Sequence, residues 1–161
     1  MYRSKTYLLA TALSIGISLG LGFLAGQITR SGIDPWYMAL EKPPLTPPNY
    51  VFAPVWTLLY LLMGIAAARV WVLGIHHRWG KTALYHYAIQ LIFNILWTLV
   101  FFYLHQTGLA LLVILTLVIL IERTLKWFGT VDRLSKRLLI PYLIWVLFAT
   151  YLNAGVWWLN V

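Results

Sequence analysis

An all-α integral membrane protein, built as a bundle of five transmembrane helices with a proline-rich lid loop between helices 1 and 2, is the fold class the sequence predicts. Three observations carry that reading. Of the 161 residues, 61% are apolar and only 10% charged, against about half and about a quarter in soluble domains. The apolar residues fall into five runs, 7–28, 51–73, 83–104, 109–125 and 138–159, each close to the roughly 20 residues a helix needs to cross a bilayer. The excess of 12 Lys+Arg over 4 Asp+Glu sits in short clusters between those runs. Such clusters suit the edges of a lipid bilayer, and they form no aromatic-interleaved patch of the kind that binds nucleic acid. The runs and their connectors fill the length, so residues 1–161 read as one five-helix domain. The absence of cysteine excludes a disulfide framework, a zinc knuckle, a thiol nucleophile and a thiolate haem ligand.

The first run follows Arg3 and Lys5, as a signal peptide would. Its apolar stretch is longer than the usual 7–15-residue signal core and no small-x-small cleavage site follows, which predicts a retained helix. It carries Gly16-x-x-x-Gly20 and Gly22-x-x-x-Gly26 with Ser14 and Ser18 interleaved, a spacing that lets helix backbones approach closely within a bundle or between subunits. The connector 29–50 and the start of the second helix hold six of the seven prolines: Pro35, Pro43, Pro44, Pro47, Pro48 and Pro54. Because proline fixes φ and restricts its predecessor, 42–48 should be stiff and extended. The aromatic set Trp36, Tyr37, Tyr50 and Phe52 around it points to a lid; a plain rigid linker is the alternative.

Helical spacing then places Trp56, Tyr60, Met63 and Ala67 on one face of the second helix, Gln90, Asn94, Trp97 and Phe101 on one face of the third, and Tyr142, Trp145, Ala149 and Leu152 on one face of the fifth. Lipid offers no hydrogen bonds, so Gln90, Asn94 and Asn153 should face the bundle interior or a cavity. Three aromatic faces with a few amides would suit a planar, largely apolar ligand, although residue by residue they also read as helix packing.

Ten of the 12 Lys and Arg lie on one side of this topology, at Arg3, Lys5, Arg69, Arg78, Lys81, Arg123, Lys126, Arg133, Lys136 and Arg137; the other side holds Arg30 and Lys42. The positive-inside rule then puts the N-terminus in the cytoplasm and the lid loop and C-terminus on the outer face. The four acids, Asp34, Glu41, Glu122 and Asp132, all fall in connectors or near span ends, which argues against an ion-coupled carrier or proton pump. It also leaves no paired carboxylates, no metal cluster and no Ser-His-Asp arrangement. His76 and His77 lie in a basic connector, and His86 and His105 near opposite ends of the third span, positions that suit solvated or hydrogen-bonded imidazoles better than axial haem ligands.

Four segments then acquire a common meaning. Trp36-Tyr37-x-x-Leu40-x-Lys42-Pro43-x-x-x-Pro47-Pro48, Pro54-Val55-Trp56-x-x-Leu59-Tyr60-x-x-Met63-Gly64, Gln90-x-x-x-Asn94-x-x-Trp97-x-x-x-Phe101-Phe102 and Pro141-Tyr142-x-x-Trp145-x-x-Phe148-Ala149-x-x-x-Asn153 stand in order on a five-span chain. In this the sequence resembles the tryptophan-rich sensory protein and translocator protein family (TspO/MBR, also the peripheral benzodiazepine receptor family). The resemblance covers the chain from Trp36 onward, and the first span is generic. It implies a five-helix bundle, often a homodimer, in which the first loop lids a pocket. It implies tetrapyrroles such as protoporphyrin and haem as ligands, with sterols in animal members and synthetic isoquinoline or benzodiazepine compounds besides. By motif, Trp56 and Trp145 match the two cavity tryptophans implicated in bacterial porphyrin breakdown. Asn94, Trp97, Phe148, Ala149 and Leu152 match pocket positions, and Tyr37 and Pro47 match the lid. Two departures stand out: Leu45 replaces a tryptophan common before x-Pro-Pro, and Ala154 replaces the tyrosine of the sterol-recognition pattern, with no Lys or Arg after it, which makes a sterol partner doubtful.

The expected ligand-binding set is therefore Tyr37, Pro47, Trp56, Tyr60, Met63, Gln90, Asn94, Trp97, Phe101, Trp145, Phe148, Ala149 and Leu152, with no metal site and no required cofactor. Three functions fit: a tetrapyrrole receptor or carrier, a light- and oxygen-dependent porphyrin-degrading enzyme using Trp56 and Trp145, and a regulatory protein acting through helix-helix assembly. The lack of acid–base machinery favours the first.

Overall fold

A computed structural model describes the backbone of residues 2–161 and the side chains from Tyr7 onward, so Arg3 and Lys5 of the charge argument lie outside the described residues. Five helices follow one another: α1 (Tyr2–Gly32), α2 (Asn49–Gly74), α3 (Arg78–Thr98), α4 (Thr107–Val131) and α5 (Arg133–Leu159). A wide π-helical turn extends α1 over Ile33–Tyr37 and another extends α3 over Leu99–Tyr103. All five are long and apolar enough to cross a membrane. The chain is an integral multi-pass membrane protein, and its surface agrees: Leu8, Leu9, Ile17, Phe23, Leu112, Ile119 and Ile144 are all exposed along helix flanks that water would not tolerate in such number.

Every helix, α3 counted with its extension, is longer than its apolar stretch. The largest difference lies in the first connector, expected to be loop over 29–50. Helix continues through Thr29–Gly32 and, after Asp34 departs from helical geometry at φ −116° and ψ 129°, resumes through Tyr37. Non-helical chain is thereby reduced to the proline segment before Asn49. At the other end of the bundle α4 and α5 are separated by Asp132 alone. Its extended backbone ends one helix, and its carboxylate caps the next by accepting from Ser135 N at 2.9 Å and Ser135 Oγ at 2.6 Å. The Arg69 guanidinium donates to both oxygens of the same carboxylate, at 2.7 and 3.2 Å, and ties α2 to this junction. That cation holds the Asp132 carboxyl well below the usual carboxylate range, with the Ser135 bonds adding to the effect. Nearby, Trp127 stacks on Trp79 and on His86, and Arg78 lies 4.1 Å over the Trp79 ring, an aromatic belt at one membrane edge.

In lipid the hydrophobic effect does not draw helices together, so close contact and polar pairing must do so. Gly64 lets α2 press on α1: a Cβ there would stand 2.7 Å from the Ile15 Cα. Gly22 lets α1 lie against the Tyr60 ring, which a Cβ would meet at 2.5 Å. Gly16, Gly20 and Gly26 face open space within the chain, so of the two glycine pairs only Gly22 serves internal packing. Ser18 and Tyr87 share a buried 2.8 Å hydrogen bond between α1 and α3. Around the bundle α1 packs on α2 and on the extension of α3, α2 on α5, and α4 on both α3 and α5. Among the described residues no such packing joins α1 to α5.

Candidate functional site

A chain of hydrogen bonds crosses the centre of the bundle. Tyr60 Oη on α2 donates to Asn94 Oδ1 on α3 at 2.6 Å; Asn94 Nδ2 donates to Tyr142 Oη on α5 at 2.8 Å; Tyr142 Oη donates to Gln90 Oε1, back on α3, at 2.8 Å. Each step follows from the absence of water in the hydrocarbon core, where an amide must find its partners inside the protein. All four residues are almost wholly buried. A second link runs nearer the proline-loop end, where Trp97 Nε1 donates to Asn153 Oδ1 at 3.0 Å and Asn153 Nδ2 donates to the Thr107 carbonyl at 2.8 Å.

Above this layer, toward the proline loop, the helices separate around a cavity of about 590 Å³, within the range of pockets that hold drug-sized or cofactor-sized molecules. Its body is aromatic: Phe52, Trp56 and Tyr60 come from α2, Trp97 from α3 with Phe102 from its extension, and Trp145 and Phe148 from α5. The rings brace one another. Trp56 lies 5.9 Å from Tyr60 and 6.3 Å from both Trp97 and Tyr142, and Trp145 lies 6.0 Å from Phe52 and 5.6 Å from Phe148. The remaining wall is α1, through residues from Leu19 to Arg30 and then Ile33.

Eight of the thirteen residues expected from sequence line this cavity together: Trp56, Tyr60, Asn94, Trp97, Trp145, Phe148, Ala149 and Leu152. The other five are placed elsewhere. Gln90 and Met63 are buried, at positions one turn from Asn94 and Tyr60, on the side away from the proline loop. Phe101 is buried against Trp36 and Tyr37, and Tyr37 is itself buried against Phe101 and Phe102 with Lys42 Nζ 5.0 Å over its ring. Tyr37 thus fastens the extension of α1 to that of α3. Pro47 is half-buried in the loop, and no residue from Asp34 to Pro48 lines the cavity. The loop is instead fastened to the end of α5. Asn160 Oδ1 accepts from Glu41 N at 3.0 Å while Asn160 Nδ2 donates to the Glu41 carbonyl at 2.9 Å, Tyr151 Oη donates to the Pro44 carbonyl at 3.0 Å, and Pro43 seats on Gly155, where a Cβ would stand 2.5 Å from its ring.

Sequence reasoning missed the whole α1 wall, including Gly22, Phe23, Gly26, Gln27 and Arg30, and on α2 it missed Asn49, Ala53 and Thr57. The glycine spacing and the lone arginine at that end of the bundle were the available signals. Among the described residues no three His, Cys, Asp or Glu cluster as a metal site. His105 stacks on Trp36 at 4.1 Å and His86 on Trp127, and neither lines the cavity. The Trp145 Nε1 is buried without a hydrogen-bond partner, the one indole donor on the cavity wall so placed.

A five-helix membrane bundle that closes a polar layer at its centre and opens an aromatic cavity beside a tethered proline loop defines a multi-pass membrane protein with an internal ligand-sized chamber. The TspO/MBR family model matches residues 14–159. The chain is 37% identical over 153 residues to the tryptophan-rich protein TspO of Chlorobaculum tepidum, covering 95% of this chain and 97% of that one. It is 42% identical over 125 residues to protein CrtK of Rhodobacter capsulatus, 78% of each chain, and 38% identical over 146 residues to the human translocator protein, 89% of this chain and 83% of the other. The chain belongs to the TspO/MBR family.

Proposed function

We propose that the protein is a membrane receptor or carrier for tetrapyrroles, protoporphyrin and haem among them, and that the aromatic cavity is where they bind. The observation that carries this reading is the wall itself: indoles from three different helices, Trp56, Trp97 and Trp145, bound one chamber with Phe52 and Phe148 beside them. Flat conjugated rings stack favourably on indole and phenyl faces, and such a pair contributes about 0.5–1.5 kcal/mol beyond the area it buries. Isoquinoline and benzodiazepine compounds share the flat, apolar character and would compete for the same space. In this reading the loop 40–48 is the lid, and its fastening to α5, the helix that also supplies Trp145, Phe148, Ala149 and Leu152, couples lid position to cavity shape. The N-terminus and the connectors rich in Lys and Arg face the cytoplasm, the lid and C-terminus face outward, and two chains pair as a homodimer.

Titration of the purified protein with protoporphyrin in the dark, read by quenching of tryptophan emission, tests the reading. Saturable quenching that Ala149→Phe abolishes supports it; unsaturable quenching equal to that of empty detergent or bilayer refutes it. The same titration under light and oxygen tests the enzymatic alternative, which the presence of Trp56 and Trp145 in one chamber favours. Porphyrin loss over many turnovers, slowed by Trp145→Phe, would establish catalysis, and loss that stops after one equivalent with destruction of tryptophan would be photodamage.

A further inference from the structure

The polar groups around the cavity divide into two sets. Most of those in the body are committed, the partnerless indole N–H of Trp145 being the exception. Tyr60, Asn94 and Trp97 bond to one another's helices as described, and the hydroxyls of Thr29, Thr57 and Thr98 donate to carbonyls of their own helices at Ala25, Ala53 and Asn94. At the end near the loop stand Gln27 and Arg30 of α1 and Asn49 at the start of α2, which line the cavity and whose side chains make no hydrogen bond or ion pair among the described residues. No Asp or Glu lines the cavity.

Arg30 is the informative member. Among the described residues only two Lys or Arg belong to this end of the bundle, and the other is occupied: Lys42 Nζ donates to the carbonyls of Met38 and Leu40 at 3.2 and 2.9 Å and lies over Tyr37. Asp34 stands four residues after Arg30, the helical spacing for an ion pair. The helix breaks at Asp34 itself, however, and no Arg30–Asp34 contact forms. An exposed arginine at a membrane edge, unpaired with its i+4 acid and at the loop end of an otherwise aromatic chamber, is placed for an anion that arrives with the ligand. Guanidinium and carboxylate pair through two parallel N–H···O bonds, and the amides of Gln27 and Asn49 can donate to the remaining lone pairs.

We propose that Arg30, supported by Gln27 and Asn49, is the specificity-determining end of the cavity and selects flat apolar ligands that carry a carboxylate, the ring occupying the tryptophan-lined body and the acid group meeting Arg30. The inference rests on the tetrapyrrole reading only in its choice of ring, since porphyrins bearing carboxylate side chains are one instance of the class.

Two matched pairs of probes separate the two claims: protoporphyrin and its dimethyl ester, and 1-pyrenebutyrate and its methyl ester. All are titrated in the dark against the full chain in bilayers of zwitterionic lipid, with protein-free bilayers as the partition control. Each acid should bind the wild-type protein about tenfold or more tightly than its ester, the order expected for a charge-assisted hydrogen-bonded pair. Arg30→Gln should bring acid and ester to within about twofold, and Arg30→Lys should keep part of the difference because charge remains while the fork is lost. Equal binding of acid and ester by the wild type, or an Arg30→Gln variant that weakens both alike, would overturn the role of Arg30. Discrimination with pyrenebutyrate but no binding of either porphyrin would sustain Arg30 and overturn the tetrapyrrole reading; failure of all four probes to bind would overturn both.

Discussion

Tyr142→Phe removes one oxygen atom from the middle of the bundle and should be felt well beyond its size. That hydroxyl accepts from Asn94 Nδ2 and donates to Gln90 Oε1, both at 2.8 Å, and the residue is fully buried. The phenyl ring fills nearly the same volume, so packing is kept and the change isolates hydrogen bonding. Two bonds are lost, and two amide atoms are left in a region without water. At about 0.5–1.5 kcal/mol net per bond the loss comes to about 1–3 kcal/mol; membrane-protein averages near 0.6 kcal/mol per interhelical bond put it toward the lower end. For a chain of this size each kcal/mol lowers Tm by about 2–4 °C, so a drop of roughly 2–12 °C is expected. Thermal unfolding in a single detergent, followed by near-ultraviolet circular dichroism, measures it. Tyr60→Phe removes the next bond along and leaves Asn94 Oδ1 unpartnered, so the double variant Tyr60→Phe/Tyr142→Phe should be non-additive through the shared amide, by at least about 0.5 kcal/mol. A Tyr142→Phe protein as stable as wild type, or a strictly additive double variant, would refute the picture of a connected polar layer. The same geometry changes what Asn94→Leu should do: it strands the Tyr60 hydroxyl and removes one of the two bonds of the Tyr142 hydroxyl, which keeps Gln90, so a loss of stability should accompany any loss of ligand binding.

Other expectations follow from single contacts. Gly64→Val drives a branched side chain into the Ile15 backbone and should cost about 1–3 kcal/mol or displace α1, seen as a lower Tm and faster proteolysis. The depressed Asp132 titration stabilises the fold above the unfolded carboxyl value near 4 and ceases to do so as pH falls through the folded value. Wild-type Tm should therefore fall below about pH 4, while Asp132→Asn, which keeps an N-cap side chain, should start lower and show less of that dependence. Gly155→Ala places a methyl against the Pro43 ring and should free the loop, measured as greater mobility of a spin label at Leu45. Accessibility tags at the proline loop and at Thr130 should report opposite sides of the membrane.

The number and order of the spans were legible because lipid demands long uninterrupted apolar runs. Their ends were not. Thr29, Arg30 and Ser31 end an apolar run but still continue a helix, since nothing polar about them breaks backbone hydrogen bonding, and Arg133–Arg137 extend α5 because Asp132 caps it. The aromatic faces of α2, α3 and α5 were legible from period alone, yet period gives direction and not depth. It set Met63 and Gln90 in line with Tyr60 and Asn94, whereas the cavity begins above them. The α1 wall was illegible because its lining residues are Gly, Ala and Leu with one Phe, Gln, Thr and Arg, a composition with no aromatic rhythm.

The reciprocal bonds between Asn160 and Glu41 bear on how the protein is handled. They bring Asn160 against a loop 119 positions earlier, so everything from α2 through α5 lies within a circuit that this one side chain closes. A bulky label at Val161, beside Asn160, would load the clasp of that circuit, whereas the same label at Thr130, at the other end of the bundle, would not touch it. Preparations that differ only in which of these two sites carries the label should differ in loop order, and comparisons of ligand affinity between them would be comparisons between a fastened loop and a strained one.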